Sequence, residues 1–307
     1  MLDKIFRSAN LADKISQEHT RAFSGKRNYF FEVSLEIESA QGCEVWLPIP
    51  PSTTTQTKKK EKFSSSVKYL QDEKFANQVA LFEISKTVVK TSLTYQLEVE
   101  IAPKKIDSFS GNLKDYQGKE AQLYLESDSY FNKETPRIKK IVGDLVGSKE
   151  EIGQIVPLLN NFVKEKLVYG APIEGLYSAQ DALEKSKVDC GGFDSLLGAL
   201  LRASGIPCRL VSGFLMGYPG EHMHAWLEFL TPQGDWVPLD PSMEWLRKEG
   251  RDWKPGGLGE AGNDRLVISY GTNIKIRDKT FPLFQHPLVF SAGKVEVKRA
   301  ISSQELG

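Results

Sequence analysis

D-C-G-G-F-D-S-L-L-G-A-L-L-R-A-S-G-I-P-C-R, Asp189 to Arg209, decides how the rest of this 307-residue chain is read. Phe193, Leu196, Leu197, Leu200 and Leu201 recur at i, i+3, i+4, i+7 and i+8, the apolar stripe of a helix from about 191 to 204. Gly205 and Pro207 end it. Cys190 therefore stands at the first turn, where backbone N–H groups lack helical partners and the helix dipole is positive. Both effects favour a thiolate, so this position predicts a thiol more acidic than that of a free cysteine. Gly191 and Gly192 are expected to leave the sulfur open to a substrate, and Gly198 and Ala199 to allow close packing along the helix. Cys208, in apolar I-P-C-R-L-V, and Cys43, ahead of a strand, read as inert buried thiols.

Working outward, H-A-W-L-E-F-L (224–230) and D-W-V-P-L-D (235–240) read as two strands joined by T-P-Q-G. With the loop centred on Pro232, His224 faces Asp240, Trp226 faces Pro238 and Glu228 faces Trp236. One face then carries His224, Trp226 and Asp240; the other carries Ala225, Leu227, Phe229, Val237 and Leu239 and turns to the core. A thiol, an imidazole and a carboxylate to orient it form the set a cysteine nucleophile uses, so Cys190, His224 and Asp240 are the candidate catalytic residues. His222 has the parity of His224 and is the rival base, but no carboxylate stands opposite it.

The remaining chain sets the frame. Lys+Arg and Asp+Glu are equal at 40 each, so no net field draws the chain to nucleic acid or an anionic membrane. No apolar run reaches the length of a membrane span, and the charged start M-L-D-K-I-F-R lacks a signal-peptide core, so the expected compartment is the cytoplasm. Three scattered cysteines make no disulfide framework. Residues 1–23 hold a short amphipathic helix with Leu2, Ile5, Phe6, Ala9, Ala12 and Ile15 on one side. Residues 24–118 alternate in the β manner, as in Y-F-F-E-V-S-L-E-I-E, and predict a small antiparallel sandwich ending in a linker at 102–118. Within it S-T-T-T-Q-T-K-K-K-E-K-F-S-S-S reads as a solvated, mobile loop rather than a flap that steers an acidic partner. Residues 119–307 alternate helices and strands, with a helix capped by Ser178. G-L-G-E-A-G (257–262) follows K-P-G and precedes a strand, the wrong context for a dinucleotide site. Without a C-x-x-C pair, zinc is not expected, and no cofactor is.

The quoted segment, with H-A-W-L-E-F and W-V-P-L-D-P-S, resembles the transglutaminase-like superfamily, whose core is related to papain-like cysteine proteases. The likeness is specific from about 160 to 242 and looser from 120 to about 290, and V-W-L-P-I-P resembles the β domain that precedes this core in many bacterial and archaeal members. It implies an α+β fold with the cysteine helix packed on an antiparallel sheet. It also implies Cys190 as nucleophile, His224 as general base and acid, and Asp240 as orienting carboxylate. The backbone N–H of Cys190 is a candidate oxyanion donor. The family often adds an upstream aromatic or amide side chain, for which Tyr177 or Gln180 could serve. The expected activity is hydrolysis of a peptide or carboxamide bond through a thioester on a protein or peptide substrate. The alternatives are a protein-glutamine acyltransferase and a non-catalytic protein-binding scaffold.

Overall fold

The computed structural model describes the backbone of residues 2–87 and 89–307, with side chains from residue 10 onward. The apolar face expected from Leu2, Ile5, Phe6 and Ala9 lies outside the described side chains. Helix α1 (Leu2–Phe23) leads into strands β1 (Arg27–Ser39), β2 (Cys43–Ile49), β3 (Gln56–Phe63), β4 (Lys68–Gln71), β5 (Gln78–Ile84), β6 (Lys90–Ile101) and the short β7 (Lys104–Lys105). Then come α2 (Gly118–Leu125), α3 (Pro136–Val146), α4 (Ile152–Lys166), β8 (Val168–Tyr169), α5 (Ala179–Lys185), β9 (Lys187–Val188) and α6 (Cys190–Ala203). Strands β10 (Cys208–Leu215), β11 (Met223–Leu230) and β12 (Trp236–Leu239) are followed by α7 (Pro241–Lys248), β13 (Glu260–Ala261) and β14 (Arg265–Tyr270). Four more strands close the chain: β15 (Ile274–Ile276), β16 (Lys279–Phe281), β17 (Leu288–Phe290) and β18 (Val295–Leu306). No described helix is long and apolar enough to cross a membrane.

Alternation in β1 and β6 points one side of each strand inward. Tyr29, Phe31, Val33, Leu35 and Ile37 meet Leu93, Tyr95, Leu97 and Val99, and with Val45, Leu47, Ala80 and Phe82 they make one apolar cluster. That cluster joins two four-stranded antiparallel sheets, ordered β18-β1-β6-β3 and β17-β2-β5-β4. It also takes in Phe214, Leu266 and Ile268 of a third sheet, β12-β11-β10-β14. The last twelve-residue strand of the 119–307 segment returns to pair along β1, so the chain's end joins the sheet built by its beginning.

The basic segment is a strand rather than a mobile loop. β3 pairs with β6 through a bulge at Lys58/Lys60, and Lys59 and Lys60 meet Glu100 and Glu98 across the ladder. Its entry is pinned by Gln56, whose side-chain amide donates to the Val267 carbonyl at 3.0 Å and accepts from the Val267 N–H at 2.8 Å. Lysines on an edge strand keep it soluble while the facing glutamates satisfy them, and this explains a charged run in a sheet. The linker at 102–118 also holds structure, since β7 pairs with β13.

α6 lies at the centre of the second core. Phe193, Leu196, Leu197, Leu200 and Leu201 are fully buried against α3, α4 and the Ala225, Leu227 and Phe229 face of β11. Gly198 admits the Phe131 ring, which a Cβ there would strike. Ser178 caps α5, its Oγ accepting from the Asp181 N–H at 3.1 Å while the Asp181 carboxylate accepts from the Ser178 N–H.

Candidate functional site

The site begins at the cap of α6. Asp189 is the N-cap, its Oδ1 accepting from the Gly192 N–H at 3.1 Å and its Oδ2 from the Ile173 N–H at 3.2 Å. Cys190 follows as the first helical residue and is half-buried. Its sulfur lies near the backbone N–H of Ala225 on β11, which favours the thiolate. β12 stops at Leu239 opposite Leu227, so the sulfur meets β11 just past the end of the β12 ladder.

The expected acidity is reversed. Burial above all, then the carboxylates of Asp189 and Asp194, push the Cys190 thiol up, and the Ala225 N–H offsets only part of this. A helix N-terminus favours thiolate where water reaches it; here the sulfur is enclosed among acidic groups from its own helix. Gly191 and Gly192 also serve packing rather than access. A Cβ at 191 would stand 2.6 Å from Leu176 Cδ1, and one at 192 would stand 2.5 Å from Val188 Cβ.

The 224–240 hairpin forms with its faces as expected and its register displaced by two. Leu227 pairs Leu239, Phe229 pairs Val237 and Leu230 pairs Trp236, and Thr231 N–H donates to Asp235 O at 2.8 Å. The loop therefore centres on Gln233, not Pro232. Gly234, at φ +94°, takes the left-handed position that closes a three-residue hairpin loop. Asp240 leaves the ladder as N-cap of α7 and sits diagonally from His224 instead of opposite it.

The two side chains meet all the same. His224 Nε2 donates to Asp240 Oδ2 at 2.7 Å, with both side chains buried. This bond leaves the other ring nitrogen, Nδ1, to exchange a proton with a reacting group. Trp226 stacks on the imidazole, with centroids 6.2 Å apart and planes inclined by 21°. The β11 backbone is held from behind by Gln285, whose amide donates to the His224 carbonyl at 3.1 Å and to the Gly213 carbonyl.

Asp240 is saturated. Its Oδ1 accepts from Ser242 Oγ at 2.9 Å and from the Met243 N–H at 3.0 Å; its Oδ2 accepts also from Arg265 Nη2 at 2.7 Å. Burial alone would raise this carboxyl, but His224 and Arg265 hold it well below the usual carboxylate range. Asp194, one turn along α6 from Cys190, is as deeply buried, and neither of its oxygens has a hydrogen-bond partner among the described residues. Burial, then Asp240 and Asp189, push it well above the usual range, with Arg265 opposing.

The other sequence candidates fall away from this cluster. His222 Nε2 binds the Pro219 carbonyl at 2.7 Å. Gln180 is exposed and donates to Glu184 at 2.9 Å along its own helix. Tyr177 is buried, and its hydroxyl is committed to the Ala171 carbonyl at 2.7 Å. The upstream aromatic beside the thiol is Tyr169. It pairs Val188 in the parallel β8–β9 bridge, and burial, then the negative fields of Cys190, Asp189 and Asp240, push its phenol up. Cys208 is fully buried with its Sγ on the Gly198 carbonyl at 3.4 Å, and Cys43 is buried too. Asp194, Arg265, Ser242 and Tyr169 were not singled out from sequence. The Asp before the cysteine and the lone carboxyl inside an apolar helical stripe were the available signals.

Comparison with known proteins bears on this geometry. Residues 139–241 match the family model of the transglutaminase-like superfamily. A protein-glutamine gamma-glutamyltransferase of Pseudomonas aeruginosa is 27% identical over 123 residues, which cover 36% of this chain and 18% of that protein. The chain thus aligns with less than a fifth of that relative's length. The crystal structure of a candidate cysteine protease from Cytophaga hutchinsonii superposes with a TM-score of 0.64 over 92% of this chain and 91% of that one, at 14% identity, a likeness of fold. The match over residues 139–241 identifies a transglutaminase-like core segment, set within a mixed α and antiparallel β architecture that shares its fold with the Cytophaga protein.

Proposed function

We propose that the chain is a cysteine-dependent enzyme that opens a peptide or carboxamide bond through a thioester on Cys190, with water as the acyl acceptor. The observation that carries this reading is the buried 2.7 Å bond between His224 Nε2 and Asp240, whose charge also reaches the Cys190 thiol at a helix N-terminus. Because the thiol is pushed up, it rests protonated, and His224 acts as general base during attack instead of holding a preformed thiolate.

The steps balance on one proton. His224 Nδ1 takes the thiol proton as sulfur bonds to the carbonyl carbon, and Asp240 stabilises the imidazolium. The backbone N–H of Cys190 receives the developing oxyanion. His224 then protonates the leaving nitrogen as the C–N bond breaks, leaving a thioester. Water adds to it, giving a proton to His224; the C–S bond then breaks, the sulfur takes that proton back from His224, and the acid departs.

A second reading is favoured by the named activity of the Pseudomonas relative: a primary amine in place of water, giving protein-glutamine acyl transfer. Incubating the protein with a glutamine-containing peptide, with and without a primary amine, separates the two. Release of acid unaffected by amine supports hydrolysis; incorporation of amine supports transfer. If no product forms, no acyl adduct appears on Cys190 and its alkylation follows an ordinary thiol's pH curve, both readings fail.

A further inference from the structure

We infer that Arg265 is a positioning residue that sets the charge state of the Cys190–His224 pair by neutralising Asp240. The inference rests on the acyl-transfer reading above. A carboxylate alone beside an imidazole favours the imidazolium. Here the same oxygen, Asp240 Oδ2, takes both His224 Nε2 and Arg265 Nη2 at 2.7 Å, so the pair behind the imidazole carries no net charge. The Asp240 and Arg265 side chains are 1% and 2% exposed, and solvent screens this field little.

The guanidinium is aimed, not merely accommodated. Its Nη2 also donates to the Pro255 carbonyl at 2.9 Å, and it lies 5.1 Å from the Trp226 ring that stacks on His224. Gly256, at φ +127°, clears its path: a Cβ there would collide with Arg265 Nη2 and stand 3.3 Å from Asp240 Oδ2. Nε and Nη1 make no hydrogen bond, so Asp240 and one carbonyl are the contacts that fix it. The charged and titratable groups around this cluster are Asp189, Cys190 and Asp194 on α6, His224 on β11, Asp240, Glu244 and Arg247 at α7, Asp264 before β14 and Tyr169 on β8. Arg247 lies in the field of Asp240, and Arg265 is the guanidinium in contact with it.

The consequence is a displacement of the pH profile. The reactive form, thiol with neutral imidazole or its thiolate–imidazolium tautomer, holds one proton. Gaining a second sets the acid limb and losing it sets the alkaline limb. A fixed positive charge lowers both, and its removal raises both. The measurement is the rate of Cys190 alkylation by iodoacetamide against pH, read by mass on the Cys190 peptide so that Cys43 and Cys208 do not contribute.

Arg265→Gln should move both limbs up by about one pH unit or more, and Arg265→Lys should restore the wild-type profile. Gly256→Ala, which keeps the arginine but displaces it, should move the limbs as Arg265→Gln does, and it decides the matter if that variant does not fold. A uniform fall in rate with unmoved limbs would make Arg265 a scaffold residue and overturn the inference, as would an Arg265→Lys profile displaced like that of Arg265→Gln. His224→Ala is the control: a wild-type profile that it alters, with no response to Arg265→Gln or Gly256→Ala, removes the Arg265 role alone. A wild-type profile indifferent to His224→Ala removes the acyl-transfer reading as well.

Discussion

The corner where β12 turns into α7 and the second turn of α6 each bury one carboxyl. Asp240 at the corner accepts from His224, Arg265, Ser242 and the Met243 N–H; Asp194 on the helix accepts from nothing. Their exposures are 1% and 0%, so depth does not separate them. Partners do. Asp240 is held below the usual carboxylate range and carries its charge at neutral pH, while Asp194 is pushed well above that range. The difference bears on the thiol, because both carboxyls lie in its field. Negative charge on Asp194 opposes thiolate formation. Leaving it without partners biases it toward its protonated form, which limits the negative charge it adds near the sulfur.

Removing the charge at the corner should have the largest effect. Asp240→Asn should lower the rate of acyl-enzyme formation by about 10³- to 10⁴-fold, since the imidazole loses both its orientation and the charge that stabilises its protonated form. It should also cost about 3–5 kcal/mol of stability, because Arg265 is left buried and unpaired. The stability loss has a pH signature. A depressed carboxyl contributes above its unfolded value, near 4, and loses that contribution as pH falls through the folded value. The gap in denaturation midpoint between wild type and Asp240→Asn should therefore begin to narrow below about pH 4 and go on narrowing toward the folded value. A constant gap down to acid would mean that Asp240 acts by shape alone.

Asp194→Asn should act in the opposite direction. In the wild type the folded chain holds a proton that the unfolded chain releases above about pH 4, so stability declines with rising pH by about 1.4 kcal/mol per unit until the folded value is passed. The asparagine variant lacks this slope. Equal urea midpoints near pH 4 and a higher midpoint for the variant at pH 7 are expected; parallel curves would show that Asp194 is ionised when folded.

The two carboxyls also mark where a sequence can be read and where it cannot. α6, the Ser178 cap and the two faces of the 224–240 hairpin were legible because each is set by residues within one or two turns or one strand. The register was missed by two because a shift of two keeps every side chain on its own face. Only Gly234, with its left-handed φ, distinguishes the two pairings. His224 and Asp240 were paired correctly despite that slip, since long side chains reach a diagonal neighbour. The acidity of Cys190 was inverted because the groups that decide it include burial under distant elements, which helix position does not reveal. Arg265 and the pairing of β18 with β1 depend on contacts across 25 and more than 250 residues and left no local trace. β3 was hidden differently: its lysines resembled a solvated loop until the glutamates of β6 were placed opposite.

The finest test of the corner removes one partner and leaves the charges in place. Ser242 is fully buried, and its Oγ donates to Asp240 Oδ1, the oxygen that faces away from His224 and Arg265. Ser242→Ala should cost about 1 kcal/mol, the net worth of one such hydrogen bond, because Met243 N–H still satisfies that oxygen. The rate should fall by less than about tenfold, since Oδ2 and its two partners are untouched. A loss as large as that of Asp240→Asn would mean that the carboxylate's rotation, rather than its charge, is what the corner protects. Four partners would then be needed to stop the side chain turning away from His224, and the contrast with Asp194 would be one of rigidity before electrostatics.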